Sequence, residues 1–205
     1  MSLSVAYVIA FAVAIVCQIA FFGPFLLHRR PPGSEKTTRA APVSIAGIAI
    51  QGLGYAAMWM LERPRWTPIV PLPGVLAYLP PIVAVALATG SLWMATASLR
   101  TLGKEWSLEA RVVEGHRLVT AGPYQLVRHP IYSAMLGMLI ATGIGVSHWI
   151  GLLAGVVILS LGTWIRVRSE ERLLRTEFGA AYDDYARRVP ALIPRLFPRA
   201  GVVIR

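Results

Sequence analysis

Cysteine is almost absent from this chain: Cys17 is the only one in 205 residues. An internal disulfide is therefore excluded, and so is any metal framework built on several thiolates. Charge is also scarce, with Asp, Glu, Lys and Arg making up 15% of the residues. Acids are scarcer still, 10 against 20 Lys and Arg, which leaves a formal net charge of +10. Hydrophobic residues reach 56% and the mean hydropathy is +0.59. That balance is too apolar for an ordinary soluble domain and points to the membrane class. The basic excess does not signal nucleic acid. No basic stripe is interleaved with aromatics as single-strand binders require, and the cations flank apolar runs as they do in membrane proteins. No nucleic-acid partner is expected, and membrane lipids are.

Five apolar runs follow one another. The first is Leu3 to Leu27, interrupted by Gln18 and with Gly23-Pro24 as a candidate kink. It has no positively charged leader and is too long for a signal-peptide core, so it is expected to be a span. The second is Val43 to Leu61, and the third is Val75 to Leu99 with Pro80-Pro81 in its first turns. The fourth, Tyr132 to Val146, is short, and Ser147-His148 separates it from the fifth, Trp149 to Ile165. The last two read as a tight helical hairpin. Cys17 lies inside the first run, as a small lipid-facing or packing residue. The expected fold is an all-α integral membrane protein of about five spans. Residues 1–99 form three N-terminal spans, and residues 100–205 form a second half with a connecting segment, the hairpin and a C-terminal helix.

The cations sort by side. If the N-terminus is outside, the loops after the first and third spans and the tail share the cytoplasmic face. They carry 18 of the 20 Lys and Arg, leaving Arg63 and Arg65 outside. The connecting segment and the tail are then on one face and can build one site.

Two polar constellations stand on that face. One is Leu118 to Tyr132, LVTAGPYQLVRHPIY, with Arg128 and His129 just before an apolar helix that Pro130 suits as a first-turn residue. The other is Glu170-Glu171, just past the fifth span and close to Arg166 and Arg168. Ionisable groups at this depth are costly and are functional candidates by default. Adjacent helical residues point about 100° apart, so one acid can face a pocket while the other faces an arginine. Each residue alone also has a plain account: Arg128 facing lipid phosphates, His129 packing, Tyr132 and Trp106 in an interfacial aromatic belt. Upstream, Arg111 to Val119 has turn residues between short β-branched flanks and is expected to form a small hairpin or loop. Downstream, Arg166/Glu170 and Glu171/Arg175 have i, i+4 spacing. Leu173, Leu174, Phe178, Ala181, Tyr182 and Tyr185 approximate an apolar stripe on a helix ending before Pro190.

The ordered set RHPxY, Glu170-Glu171, Phe178-Gly179, Tyr182, Tyr185 and Val189-Pro190 resembles the isoprenylcysteine carboxyl methyltransferase family, with the integral-membrane phospholipid N-methyltransferases in its wider circle. The resemblance covers roughly Leu99 to Pro194. It implies an S-adenosylmethionine-dependent methyltransferase at the cytoplasmic membrane face, needing no metal. It also implies that His116, Leu118, Val119, Gly122, Tyr124, His129, Pro130 and Tyr132 line the cofactor pocket, with Arg128 holding the loop or the cofactor. Glu170 and Glu171 would meet the amino-acid end of the cofactor or the transfer centre, and Arg166 would orient the acceptor. The partner expected is a lipophilic small molecule or lipid-modified substrate. The rival is a nicotinamide-dependent membrane reductase similar to the sterol reductases. A non-catalytic membrane protein is the third reading.

Overall fold

The computed structural model describes residues 2–27, 37–40, 43–64, 66–103, 111–113 and 117–195. His116, Lys104 and Trp106 lie outside them. The regular elements of the described residues are helices, with one two-stranded ribbon and an isolated bridge between Glu62 and Ser147. Its order is α1 (Leu3–Leu27), β1 (Thr37–Ala40), α2 (Val43–Met60), α3 (Leu79–Leu102), β2 (Arg111–Val113), α4 (Pro130–Val146), α5 (Trp149–Phe178) and α6 (Ala180–Arg188). Among the described residues four helices, α1, α2, α3 and α5, are long and apolar enough to cross a membrane. α4 is shorter, as expected from its run. The chain is a multi-pass membrane protein by these measures. α1 passes through Gly23-Pro24 as one helix, and α5 extends the fifth run by more than three turns into the charged tail.

Two expectations change. The arm Arg111–Val113 does not pair with its downstream flank. It is antiparallel to β1, with Ala40 opposite Arg111 and Thr37 opposite Val113. β1 follows α1 and β2 follows α3, so the short arm finds its partner far away in sequence. The tail is also two helices rather than one. Gly179, at φ +50°, ends α5, and its N–H bonds back to the Arg175 carbonyl. Of the expected tail stripe, only Tyr182 and Tyr185 are fully buried, while Ala181 is exposed.

Small residues set the helix spacing, as expected where lipid removes the hydrophobic drive between helices. α2 and α5 run against each other through glycines. A Cβ at Gly54 would lie 2.7 Å from the Leu159 nitrogen, and one at Gly162 would lie 2.8 Å from the Gly47 carbonyl oxygen. Gln51 donates from Nε2 to Thr163 Oγ1 across the same seam at 2.9 Å. α3 and α4 meet where a Gly137 Cβ would lie 2.4 Å from Ser91 Oγ. α1 covers that pair, with Ala14, Cys17 and Phe21 packed on Ala88, Ala95 and Met138. Cys17 is thus a packing residue.

At one end of the bundle Arg63 closes α4. Its Nη1 donates to the Ser147 carbonyl at 2.5 Å, and its Nη2 donates to Ile144 at 2.5 Å and Gly145 at 3.2 Å. A cation on the last carbonyls also suits the helix dipole. Arg63→Ala leaves those acceptors without a donor and should cost about 2–3 kcal/mol. A lowered midpoint of thermal unfolding in detergent is the expected result.

Candidate functional site at the opposite end of the bundle

The end away from Arg63 collects the C-terminus of α3, the N-terminus of α4, the C-terminus of α5, and α6. The two polar constellations meet there. Gly122 has φ +57° and begins a short 3-10 turn to Gln125; a Cβ on it would strike Thr101 Oγ1 at 2.8 Å. That turn buries Tyr124, whose carbonyl accepts from the Tyr185 hydroxyl at 2.7 Å. Burial pushes the Tyr185 phenol up to about 12, so it remains a donor at neutral pH.

Arg128 ties three elements together. Its Nε and Nη2 donate to Glu171 Oε1 at 3.1 and 2.6 Å. Its Nη1 donates to the carbonyls of Ala186 and Val189 at the end of α6. The backbone repeats the link: the N–H groups of Arg128 and His129 donate to Pro190 and Ala191 at 2.8 and 3.0 Å, and Ser133 Oγ donates to Leu192 at 2.5 Å. Pro190 follows the end of α6, and the bent, non-helical chain from there to Pro194 is strapped onto the start of α4.

His129 is buried and lies between the two acids. Its Nδ1 is 3.4 Å from Glu170 Oε2 and its Nε2 is 3.4 Å from Glu171 Oε1. The Tyr132 ring stacks near-parallel to it at 18° and 5.8 Å, and the Tyr132 hydroxyl donates to Glu170. Arg166 completes the set. Its guanidinium lies 5.0 Å over the Tyr132 ring, and Nη2 donates to Glu170 Oε1 at 3.4 Å. The adjacent acids thus diverge as helical geometry requires. Glu170 turns to His129, Tyr132 and Arg166. Glu171 turns to Arg128 and, through Oε2, to the half-exposed Arg175 at 3.3 Å.

The imidazole feels opposed effects. Burial alone lowers its pKa, but the hydrogen bonds and negative charge of Glu170 and Glu171 prevail and hold it above the ordinary histidine value. A folded-state pKa above the unfolded one gives stability that is complete below about pH 6.5 and lost as the pH rises through the raised value. Thermal unfolding followed upward from about pH 6.5 should show that decline. His129→Gln should flatten it, and an unchanged slope would assign it to another group.

Beside the cluster a cleft of about 870 Å³ runs along the helices. Gly90 and Met94 of α3 form one wall, Gly137 and Ile140 of α4 the floor, and Leu159, Trp164 and Val167 of α5 the other wall. Trp93 and Trp164, both more than half exposed, flank it. Its polar end is made by Arg128, Tyr132, Glu171 and Arg175, under Ala191 to Pro194 of the strap.

Of the residues singled out in the sequence, Arg128, His129, Tyr132, Arg166, Glu170 and Glu171 form one contiguous cluster. Pro130 is buried as the first residue of α4. Gly122 and Tyr124 sit in the adjoining turn, while Leu118 and Val119, upstream of it, are partly exposed. Arg175, which the sequence offers only as the i, i+4 helix partner of Glu171, also reaches the site, as do the strap carbonyls, for which a sequence carries no signal.

Residues 79–181 match the phospholipid methyltransferase family model, half of the chain. The chain belongs to the phospholipid methyltransferase family. The matched span runs from the start of α3 to the first residues of α6 and contains the whole cluster. The chain is 29% identical to protein-S-isoprenylcysteine O-methyltransferase B of Arabidopsis thaliana, over 73% of this chain and 84% of that one. It is 40% identical to methanethiol S-methyltransferase 2 of Bradyrhizobium diazoefficiens, over 42% of this chain and 32% of that one. It is 33% identical to the nickel-cobalt-cadmium resistance protein NccN of Alcaligenes xylosoxydans xylosoxydans, over 56% of this chain and 61% of that one. Among the described residues no group of three or more His, Cys, Asp or Glu could hold a metal ion. The methyltransferase relatives favour the first reading of the sequence over the reductase one.

Proposed function

We propose that this family member is an S-adenosylmethionine-dependent methyltransferase whose acceptor is a lipophilic molecule with an anionic reactive group. The acceptor reaches the cluster from the bilayer. The observation that carries this reading is the continuity of an apolar, membrane-level cleft with a buried Arg/His/Glu cluster. Such a cleft suits an apolar chain, and a few convergent polar groups at one end suit a reactive head. The cluster residues and their sidedness, cytoplasmic by the distribution of Lys and Arg, belong to the same proposal.

The donor set fits the cofactor. Glu171 gives Oε1 to Arg128 but leaves Oε2 to Arg175, a half-exposed partner that can swing aside for an ammonium. Tyr132 and His129 offer flat faces, and Gly122 and Tyr124 lie in the turn beside them. Bound S-adenosylmethionine would supply a methyl already activated on a sulfonium. What remains for the chain is alignment and exclusion of water. Arg166 holds the anionic group of the acceptor while Tyr132 and Glu170 hold Arg166. Arg128 keeps Glu171 and the strap in place, closing the polar end against water.

The site favours a carboxylate acceptor over a thiol. A carboxylate is ionised at neutral pH and needs no proton removed. A thiol needs a base, and Glu170 and Glu171 raise the pKa of the best-placed imidazole, His129, which favours its protonated form over the form that accepts a proton. Isoprenylcysteine, named in the Arabidopsis relative, has such a carboxylate and an apolar chain.

Calorimetry on the purified protein in detergent tests the cofactor. S-adenosylhomocysteine should bind in the micromolar range and NADPH should not; the opposite pattern would return the reductase reading. Methylation of a bilayer lipid extract with labelled cofactor would then name the acceptor.

A further inference from the structure

The N-terminal half of the chain offers no motif, yet α2 reaches the cluster at one residue. Gly47 is in the first turns of α2, opposite Arg166 of α5. A Cβ on Gly47 would lie 2.5 Å from Arg166 Cγ, 3.4 Å from Cδ and 3.0 Å from the Gly162 carbonyl oxygen. Real Cβ atoms do not approach that closely, and Cγ is the root of the arginine chain, not its mobile end. Gly47 has no left-handed backbone to accommodate. Its lack of a side chain serves space alone, and the Arg166 stem occupies that space. Arg166 is buried, so the stem has little room to take another route. One turn along the same seam, the Gln51–Thr163 hydrogen bond fixes α2 against α5.

We propose that Gly47 is a positioning residue for methyl transfer. The groove it leaves in α2 directs the Arg166 methylenes, so that the guanidinium arrives over the Tyr132 ring and beside Glu170. The proposal rests on the reading of the cluster as the active site. It gives α2 a part in the chemistry, not only in spanning the membrane. A side chain at position 47 forces the stem of Arg166 aside, and the guanidinium then leaves its place over the Tyr132 ring.

Gly54 supplies the control. It lies in the same seam, and a Cβ there would lie 2.7 Å from the Leu159 nitrogen and 3.0 Å from the Gly155 carbonyl oxygen. Gly54→Ala therefore strains the same helix pair without touching Arg166. Two cycles are measured on the full-length protein in detergent. In the first, thermal unfolding is compared for Gly47→Ala and Gly54→Ala, each alone and with Arg166→Ala. Removing the arginine stem should abolish most of the Gly47→Ala penalty and leave the Gly54→Ala penalty intact. In the second, methyl transfer to an N-acetyl-S-alkylcysteine with a long apolar chain is followed with labelled cofactor. Gly47→Ala should lower kcat by roughly tenfold, about 1.4 kcal/mol, with S-adenosylhomocysteine affinity held within about twofold. Gly54→Ala should keep kcat within about twofold, and Gly47→Ala should add nothing in the Arg166→Ala background.

Parallel losses of stability and kcat in the two glycine variants would overturn the proposal, as would additivity with Arg166→Ala. Wild-type protein that neither binds S-adenosylhomocysteine nor transfers methyl would overturn the methyltransferase reading instead. The unfolding cycle would still decide whether Gly47 sets the course of Arg166.

Discussion

Glu171→Ala is expected to destabilise the protein by about 3–5 kcal/mol and to abolish measurable binding of S-adenosylhomocysteine. The carboxylate is buried and takes two hydrogen bonds from Arg128 on one oxygen. His129 is 3.4 Å from that same oxygen. Removing one partner of a buried pair leaves an uncompensated charge, and that cost is larger than the worth of the pair itself. Here Arg128 loses its carboxylate and His129 keeps only Glu170. The effect extends beyond the pair, because Arg128 also holds the ends of α6 and the strap through Ala186 and Val189. Glu171→Gln separates the two contributions. The amide can still accept from Arg128, so the strap should stay closed and the part of the stability that rests on those hydrogen bonds should return, while the cost of the unpaired charge stays. Cofactor binding should stay weak, since an amide no longer attracts an ammonium. Denaturant or thermal unfolding and calorimetry on the two variants check both halves. Equal binding by Glu171→Gln and wild type would remove the carboxylate from the cofactor site.

The cluster could be found in the sequence because it is made of rare residues in an apolar chain. Arg128-His129 and Glu170-Glu171 stand out against long apolar runs, and the cation distribution already set them on one face. Their contact in the fold agrees with that placement, and Arg63 closes the opposite end. Helix positions were equally legible, since runs such as Leu3 to Leu27 have few polar interruptions. Three features were not. Pairing of Arg111–Val113 with Thr37–Ala40 joins two loops more than 70 residues apart, and a three-residue arm holds no record of its partner. The break at Gly179 is a backbone conformation, and a lone glycine in a helical pattern is tolerated as often as it terminates. Gly47 was hidden for a related reason. An absent side chain shows its purpose only when the neighbour that fills the space is known, and that neighbour, Arg166, is 119 positions away in the chain.

Gly90→Trp should convert a long-chain acceptor from a good substrate to a poor one while sparing a short one. Gly90 lies on the α3 wall of the cleft, and a Cβ there has nothing within 4 Å. A large side chain at this point can therefore enter the cleft without straining α3. The cluster is at the far end, toward Arg128 and Glu171, so the reactive head and the cofactor site are left alone. Each methylene kept out of an apolar site forgoes about 0.8 kcal/mol. Displacing four carbons then costs about 3 kcal/mol, roughly a 100-fold loss in kcat/KM. Acceptors sharing one cysteine carboxylate and differing only in the length of the S-alkyl chain give the measurement. Wild type should improve with length, while Gly90→Trp should improve only up to the length at which the chain meets the indole. S-adenosylhomocysteine affinity should be equal in the two proteins. A uniform loss at every chain length would mean that the acceptor does not lie along this cleft. An unchanged profile would mean the same, because an indole at position 90 occupies the path the chain must take.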